Sequence, residues 1–325
     1  MWTFLLSAAL GFGFEDAEAD SLGIEEEAPD AIVNGVETTD WPAVFTLAAA
    51  DQSGYIFTFC SGTLVHEEWG VSAAHCVDPI QDYQNQGMTV YAVFGGSVNS
   101  PDDLVEIEEG IKNPEYGYGA FIDDISVIHF AEKKKDVTPM VLNDEPIDDS
   151  WIGTSLTFVG FGVTGDSQTG SGVKRMTDIP ISGYDIDNVY SFDPDTNVCN
   201  GDSGGASLER SGKVAELAGI NAFVTPSCNG GSNGATRVDV HIDFLKDHIP
   251  KLFTDPAQLE EAGDDGAGLP WVVPSVDDDG NGLGGRFGAP EQFHENIGCS
   301  STGSSSGSFV AGILLLLRSR RRLPK

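Results

Sequence analysis

Positive charge is scarce in this sequence. Only 17 lysine and arginine residues stand against 51 aspartate and glutamate residues, which gives a formal net charge of −34. Because binding to nucleic acid phosphates requires clustered cations, we expect no nucleic acid partner. Hydrophobic residues nevertheless make up 40% of the 325 residues. That content and length suffice for one large domain, or two small ones, with a packed core.

Long hydrophobic runs and long amphipathic helices are also missing. Residues 1–14 are apolar, and a second apolar run of nine residues, 309–317, stands near the other end. Nine residues are too few for a free-standing membrane span of about 20. Between these ends, short apolar segments alternate with clusters of glycine, asparagine and aspartate, and a helical pattern appears only at 241–246. This organisation favours an all-β protein with one C-terminal helix.

Residues 199–205 read Cys-Asn-Gly-Asp-Ser-Gly-Gly. Ser203 offers a hydroxyl, which is a weak nucleophile at neutral pH unless a base lies beside it. The glycines let the backbone turn sharply and bring amide groups close to a substrate carbonyl. The alternative interpretation is an ordinary surface turn. The segment resembles the nucleophile loop of the trypsin/chymotrypsin-like (S1 family) serine peptidases, and the resemblance implies an oxyanion hole formed by the N–H groups of Gly201 and Ser203.

Two further segments resemble the same family. Val-Ser-Ala-Ala-His-Cys at 71–76 resembles the segment that carries the general base, which would be His75. Phe-Ile-Asp-Asp-Ile-Ser-Val-Ile at 121–128 resembles the segment that carries the acid orienting that base. Asp124 aligns with this acid, and its neighbour Asp123 is the competing candidate. The order His75, Asp124, Ser203 is the order of this family and differs from that of subtilisin-like and α/β-hydrolase enzymes.

The five cysteines are few but lie at positions that the resemblance makes informative. In the family, one disulfide pins the histidine loop and another braces the specificity pocket. The resemblance therefore implies that Cys60 pairs with Cys76, and Cys199 with Cys228. Two bridges indicate an oxidising compartment. Cys299 is left over, far from the other four.

The resemblance covers residues 32–253 and implies a chymotrypsin-like fold. This fold has two six-stranded antiparallel β-barrels with the triad between them, followed by a C-terminal helix. We expect a monomer that cleaves protein or peptide substrates. Because the triad carries the whole reaction, we expect no cofactor and no metal.

The N-terminal region is typical of an exported zymogen. Residues 1–14 resemble a signal peptide, and residues 15–31 form an acidic segment that we interpret as a propeptide. Ile-Val-Asn-Gly at 32–35 is close to the mature terminus of the family. In the family, cleavage before this isoleucine frees an ammonium group, which here would pair with Asp202. The residue before Ile32 is Ala31, so we expect an activating enzyme that cuts after small residues, and this protein is one candidate.

The specificity pocket is predicted from family positions around the nucleophile. Asn197 stands six residues before Ser203, where trypsin-like enzymes carry an aspartate that pairs with basic substrate side chains. A neutral residue there argues against selection for arginine or lysine. The remaining pocket positions are predicted to be Ala222, Phe223, Val224 and Asn233.

Val224 replaces the glycine of open pockets and would narrow the entrance. We therefore predict a preference for small or medium uncharged residues, such as alanine, valine or threonine, immediately before the cleaved bond. The alternative is that Asn197 only forms hydrogen bonds within its own loop and that selectivity is broad.

The C-terminal region departs from the peptidase pattern. Residues 254–297 are acidic and rich in glycine and proline, as in linkers. The stretch 277–282 is similar to a calcium loop but lacks the glutamate expected at the twelfth position, where Gly288 falls. Residues 298–325 contain Cys299, the apolar run and an arginine cluster. This pattern resembles myxobacterial C-terminal sorting tags and implies processing near Cys299 and membrane association.

We therefore predict a secreted serine endopeptidase that is tethered at the bacterial cell surface or outer membrane. Two hypotheses from other classes remain open. One is a binding module that keeps the fold without catalysis, and the other is a surface structural protein with a degenerate peptidase domain. The sequence retains all three triad residues and gives neither alternative direct support.

Overall fold

A computed structural model of the chain describes residues 32–117, 121–255 and 258. All of them lie in the first of two units into which the chain divides, residues 1–273. The second unit, residues 274–325, lies outside the described residues, as do the predicted signal peptide and propeptide and most of the predicted linker. Within the described part of the chain, no helix is long and apolar enough to cross a membrane.

Fourteen strands form the described region. In chain order they are β1 (Val36–Glu37), β2 (Val44–Ala50), β3 (Ile56–His66), β4 (Trp69–Ser72), β5 (Thr89–Phe94), β6 (Asp103–Lys112), β7 (Ser126–Phe130), β8 (Val141–Leu142), β9 (Ser155–Gly160), β10 (Arg175–Tyr184), β11 (Asn188–Phe192), β12 (Ala206–Glu209), β13 (Glu216–Thr225) and β14 (Ser232–Arg237).

The strands close into two six-stranded antiparallel barrels, which confirms the predicted fold class. The first barrel follows the order β2-β3-β4-β7-β6-β5. The second follows β10-β11-β14-β13-β12-β9, and pairing of β9 with β10 closes it. The short strand β1 is added at β10, and β8 pairs in parallel with β13.

Side-chain alternation places one face of each strand in a barrel core. In β6, Val105 and Ile107 are buried while Glu106 and Glu108 are exposed, as the two-residue strand period requires. The centre of the first barrel contains three phenylalanine rings. The ring of Phe45 lies 5.2 Å from that of Phe94 and 5.6 Å from that of Phe130, measured between centroids. Leu156, Phe158, Ile179 and Val189 belong to the core of the second barrel.

Among the residues that the structure describes, two α-helices accompany the barrels. The helix α2 (Ile242–His248) lies where the sequence predicts a C-terminal helix, and it buries Ile242 and Leu245. The helix α1 (Val77–Asn85) was not predicted. It begins directly after His75–Cys76 and buries only Val77 and Ile80, so its apolar pattern is too short to be recognised in the sequence.

Candidate active site

His75 lies in a 3-10 turn, Ala74–Cys76, that follows β4. A disulfide between Cys60 and Cys76 ties this turn to β3, as predicted. The imidazole side chain is 30% exposed, so one edge of it remains accessible from solvent. The histidine is thus held by a covalent constraint on one side and is open to a ligand on the other.

Asp124, and not Asp123, contacts the histidine. The Asp124 carboxylate accepts hydrogen bonds from the backbone N–H of His75 (3.0 Å) and from His75 Nδ1 (2.7 Å), and the residue is 1% exposed. Asp123 adopts a left-handed backbone conformation, with φ of 52°, and its carboxylate faces His241 instead. Two bonds from one residue to one carboxylate fix both the orientation of the imidazole and the Nδ1–H tautomer.

Ser203 shares a cavity of about 660 Å³ with His75 and Asp124. Its loop is anchored by the second predicted disulfide, Cys199–Cys228. The backbone turns at Gly204, where φ is +84° and an added Cβ atom would lie 2.1 Å from Ser72 Oγ. Only glycine combines this backbone conformation with so close an approach.

The amides of Gly201 and Ser203 are available for a ligand. Gly201 has φ of +94°, and within the described residues neither its N–H nor that of Ser203 donates a hydrogen bond to the protein. The intervening N–H of Asp202 donates instead to Cys199 O at 3.1 Å. Two free donors beside a serine hydroxyl are the arrangement needed to stabilise an oxyanion.

Ser61, on β3, holds the nucleophile loop from the first barrel. Its N–H donates to Ser203 O (2.8 Å) and its hydroxyl donates to Gly201 O (2.9 Å). The same hydroxyl accepts a bond from the N–H of Phe161, just beyond β9 (3.1 Å). Sequence analysis missed this residue because its partners lie 100 residues and more away in the chain.

Asp202 is a fully buried carboxylate beside the nucleophile. It accepts hydrogen bonds from the N–H groups of Gly162 and Cys199, each at 2.8 Å. Burial raises the pKa of Asp202 to about 7, and these two hydrogen bonds oppose that rise. Ile32 is also fully buried, and the next residue, Val33, donates its N–H to Asn197 O at 2.8 Å.

Asn197 and Asn233 form a buried amide pair. Asn197 Oδ1 accepts bonds from Asn233 Nδ2 and from the N–H of Val198, both at 3.0 Å, and its Nδ2 donates to Gly231 O at 3.1 Å. Asn197 therefore uses its amide within the protein, as the alternative interpretation expects. Of the predicted pocket residues, Ala222, Phe223 and Val224 line the cavity, whereas neither asparagine is among its described lining.

Comparison with known proteins adds an independent finding. The model of the Trypsin family matches residues 32–245. The chain belongs to the trypsin family. This assignment makes it a serine endopeptidase that acts on protein or peptide substrates.

Individual relatives agree with this family assignment. The chain is 32% identical over 236 residues to brachyurin of Leptuca pugilator, an alignment covering 66% of this chain and 97% of brachyurin. It is 28% identical over 233 residues to trypsin-1 of Salmo salar, covering 66% and 90% of the two chains. Granzyme M of Rattus norvegicus is 27% identical over 194 residues, covering 52% of this chain and 70% of granzyme M.

An aromatic contact borders the cavity of this trypsin-family chain. The rings of Phe121 and Phe223 stack with their centroids 4.3 Å apart, and both residues line the cavity. Phe121 is 47% exposed and has φ of 53°. The contact between Phe121 and Phe223 was not predicted from the sequence, because nothing in the neighbours of Phe121 indicates a partner 102 residues later.

Proposed function

We propose that this chain is a secreted serine endopeptidase, made as a zymogen, that cleaves peptide bonds through an acyl-enzyme. The observation that carries the catalytic part is the pairing of His75 with buried Asp124 in the cavity that contains Ser203. A hydroxyl and an oriented imidazole beside two unused amide donors are suited to acyl transfer. This arrangement is the basis for the role that each of these groups is given in acyl transfer.

Ser203 Oγ attacks the carbonyl carbon of the substrate peptide while His75 Nε2 accepts the hydroxyl proton. The negative charge that develops on the carbonyl oxygen is stabilised by the N–H groups of Gly201 and Ser203. His75 then delivers its proton to the departing amine, which leaves an ester on Ser203. Water, deprotonated by the same histidine, attacks the carbonyl carbon of that ester; the bond to Ser203 Oγ breaks, and His75 returns the proton to Ser203 Oγ as the carboxylic acid product leaves. Asp124 stabilises the imidazolium in both halves of the cycle.

Activation is proposed to follow cleavage before Ile32. The new ammonium group would pair with Asp202 and thereby order the loop that carries Gly201 and Ser203. Support comes from the burial of Ile32 and from a buried carboxylate that accepts only amide hydrogen bonds. A charged carboxylate in such a site is stabilised strongly by a cation.

The substrate preference is proposed to be for small uncharged residues before the cleaved bond. Val224 on the cavity wall and the neutral Asn197–Asn233 pair support this proposal, since the pair offers no carboxylate to a basic side chain. Ala31 satisfies the same preference, so the enzyme is proposed to be able to activate itself.

Export and tethering are proposed from sequence alone. The signal peptide (1–14), the propeptide (15–31) and the sorting segment with Cys299 lie outside the described residues. The two disulfides in the described region support an oxidising compartment, as expected for a secreted protein. Membrane association through residues 298–325 and a monomeric state remain part of this proposal.

The decisive experiment is cleavage of a diverse peptide library by the form that begins at Ile32. We expect cuts after alanine, valine and threonine, with a loss of about 10⁶-fold in kcat for Ser203→Ala. Mass spectrometry would identify the cut bonds, and Ser211→Ala, which changes an exposed serine outside the described cavity lining, is the matched control. Fastest cleavage after arginine or lysine would contradict the specificity proposal. The catalytic proposal would be contradicted if neither the unmodified Ile32-starting form nor its Ser211→Ala variant cleaved any peptide, with the Ile32 terminus verified.

A further inference from the structure

Three side chains from distant parts of the sequence meet close to the triad. They are Asp123, directly before Asp124; Asp187, between β10 and β11; and His241, directly before α2. One donor atom from each lies within 4.8 Å of the others. We call these three residues the Asp-Asp-His cluster. The reaction proposed above uses none of them.

His241 contributes a buried nitrogen that has no hydrogen-bond partner in the described part of the chain. Its side chain is 7% exposed, and Nδ1 lies 3.3 Å from the side-chain amide nitrogen of Asn113. The other ring nitrogen, Nε2, is buried and unbonded. The carboxylate oxygen of Asp123 lies 3.7 Å from Nε2, which is too long for a hydrogen bond.

Negative charge in the cluster is offset only in part, through the nearby Arg237, which acts to lower the pKa of Asp187. Among the described residues, no lysine or arginine forms an ion pair with Asp123 or Asp187. Arg237 is nearby, but its guanidinium is paired with Asp239 (Nε to Oδ1, 3.0 Å). Burial, and then repulsion from Asp123, raises the pKa of Asp187. Burial also lowers the pKa of His241, because a charged imidazolium is disfavoured in a desolvated site.

We propose that Asp123, Asp187 and His241 bind one divalent transition-metal ion of the zinc type, with water completing its coordination. A neutral imidazole and two carboxylates are a donor set that suits such ions. Two donors each about 2.1 Å from a tetrahedral ion lie about 3.4 Å apart. The 3.7 Å between Nε2 and the Asp123 oxygen is close to that separation. The ion would also satisfy the unbonded nitrogen and neutralise the carboxylates.

Asn113 is proposed to act as the outer partner of this site. Binding through Nε2 leaves the ring proton on Nδ1, which then needs an acceptor. At present Asn113 presents its amide nitrogen to Nδ1, while its oxygen accepts the N–H of Glu115 at 3.1 Å. Metal binding is therefore coupled to rotation of this amide. In Asn113→Asp, one carboxylate oxygen would face His241 Nδ1 and the other would face the N–H of Glu115. Both can accept hydrogen bonds without rotation of the side chain, so we expect this variant to bind the metal more tightly than the unmodified chain.

A bound ion would join three structural elements at the edge of the substrate cavity. Asp123 belongs to the segment that also carries Phe121, whose backbone oxygen accepts a bond from Asn188 Nδ2 at 2.8 Å. Asp187 precedes β11 and His241 precedes α2. The ion would thus fasten the segment before Asp124 to the second barrel, and we expect it to raise the unfolding temperature of the folded chain.

The test is calorimetric titration of the full chain with Zn²⁺, carried out on the Ser203→Ala protein so that no self-digestion occurs. We expect one tight site whose affinity falls at least tenfold in His241→Gln and in Asp187→Asn, and rises in Asn113→Asp. His248→Gln is the matched control, because it removes a histidine on α2 outside the cluster. His75 is retained in every variant, so zinc bound at the triad would not follow this pattern.

Visible absorption with Co²⁺ and the unfolding temperature with Zn²⁺ provide two further tests of the proposed site. Co²⁺ in place of Zn²⁺ should give the visible absorption of a tetrahedral site, and Zn²⁺ should raise the unfolding temperature more in the variants that bind it more tightly. Asp187→Asn changes a partly exposed residue, so it tests binding even if His241→Gln does not fold. Equal Zn²⁺ affinity in Asp187→Asn and the Ser203→Ala parent would overturn the proposal, as would the absence of any binding to that parent.

Discussion

Asp124 and Asp202 are two buried aspartates that differ in their hydrogen-bond partners: Asp124 lines the cavity, and Asp202 directly precedes Ser203. Asp124 accepts two hydrogen bonds from His75, including one from the imidazole that can become a cation. Asp202 accepts only from the backbone amides of Gly162 and Cys199. Burial raises the pKa of Asp202 to about 7, which makes it a proton-binding site at neutral pH.

The difference shows that one fold can hold one buried carboxylate against an ionisable side chain and another against backbone amides alone. A buried carboxylate that accepts hydrogen bonds from an imidazole orients that imidazole. A buried carboxylate with amide donors alone gains when a cation arrives, and in this chain the proposed cation is the amino group of Ile32. The contrast between these two residues can be tested by changing each in turn.

The largest expected effect is that of Asp124→Asn. The amide cannot hold the Nδ1–H tautomer of His75, so kcat should fall by about 10⁴-fold, a magnitude carried over from the trypsin family itself. Steady-state kinetics on the Ile32-starting form would measure this loss. Asp243→Asn, which changes an exposed acid on α2, is the control expected to keep full activity. A loss of less than tenfold in Asp124→Asn would show that another group orients the histidine.

An intermediate effect is expected from Asp202→Asn on the uncleaved chain. Because the folded state holds the Asp202 proton up to about pH 7 and the unfolded state only to about 3.8, the contribution of Asp202 to the free energy of unfolding should be fully present below pH 4 and should be lost as the pH rises to 7. The shift corresponds to about 4 kcal/mol. Asp202→Asn should remove this part of the decline, as measured by urea unfolding between pH 4 and 8.

Glu216→Gln is the matched control for that pH series, because burial also raises the pKa of Glu216 to about 7, yet this residue is only partly buried. Glu216→Gln should reduce the fall in the free energy of unfolding between pH 4 and 8 by less than Asp202→Asn does. In the Ile32-starting form, pairing with the ammonium group should lower the pKa of Asp202 and abolish the Asp202-dependent decline. An unchanged decline after cleavage would contradict the proposed activation pair.

The smallest expected effect is that of Gly162→Ala. This change crowds the backbone that donates a hydrogen bond to Asp202, but it leaves the Asp202 carboxylate in place. The added Cβ atom would lie 2.7 Å from Asn200 O and from Asp202 Cγ. Crowding of this kind costs about 1–3 kcal/mol. Gly183→Ala is the control, since its Cβ atom would meet nothing within 4 Å. Equal unfolding free energies for the two variants would show that the Asp202 pocket is not tightly packed.

Sequence analysis could predict those parts of the site that are carried by continuous segments. The resemblance to the S1 family, carried by short motifs, implied both disulfides and both barrels, and the structure confirms them. Alignment favoured Asp124 over its neighbour Asp123, and the coordinates supply the physical reason: the left-handed backbone at Asp123 turns the two carboxylates to different partners.

Interactions between distant residues could not be predicted. Ser61 contacts the nucleophile loop 140 residues later, and its own neighbours give no sign of this. The Asp-Asp-His cluster likewise joins three single residues that belong to no common motif. The helix α1 was missed for a different reason, since only two of its residues are buried and its pattern is correspondingly weak.

The hydrogen bonds of Ser61 have a consequence for the order in which the site can form. The loop carrying the attacking hydroxyl belongs to the second half of the domain, yet it is fixed in part by a strand of the first half. Neither barrel alone therefore contains all the contacts that position this loop, so the complete site requires both barrels to be folded and docked together.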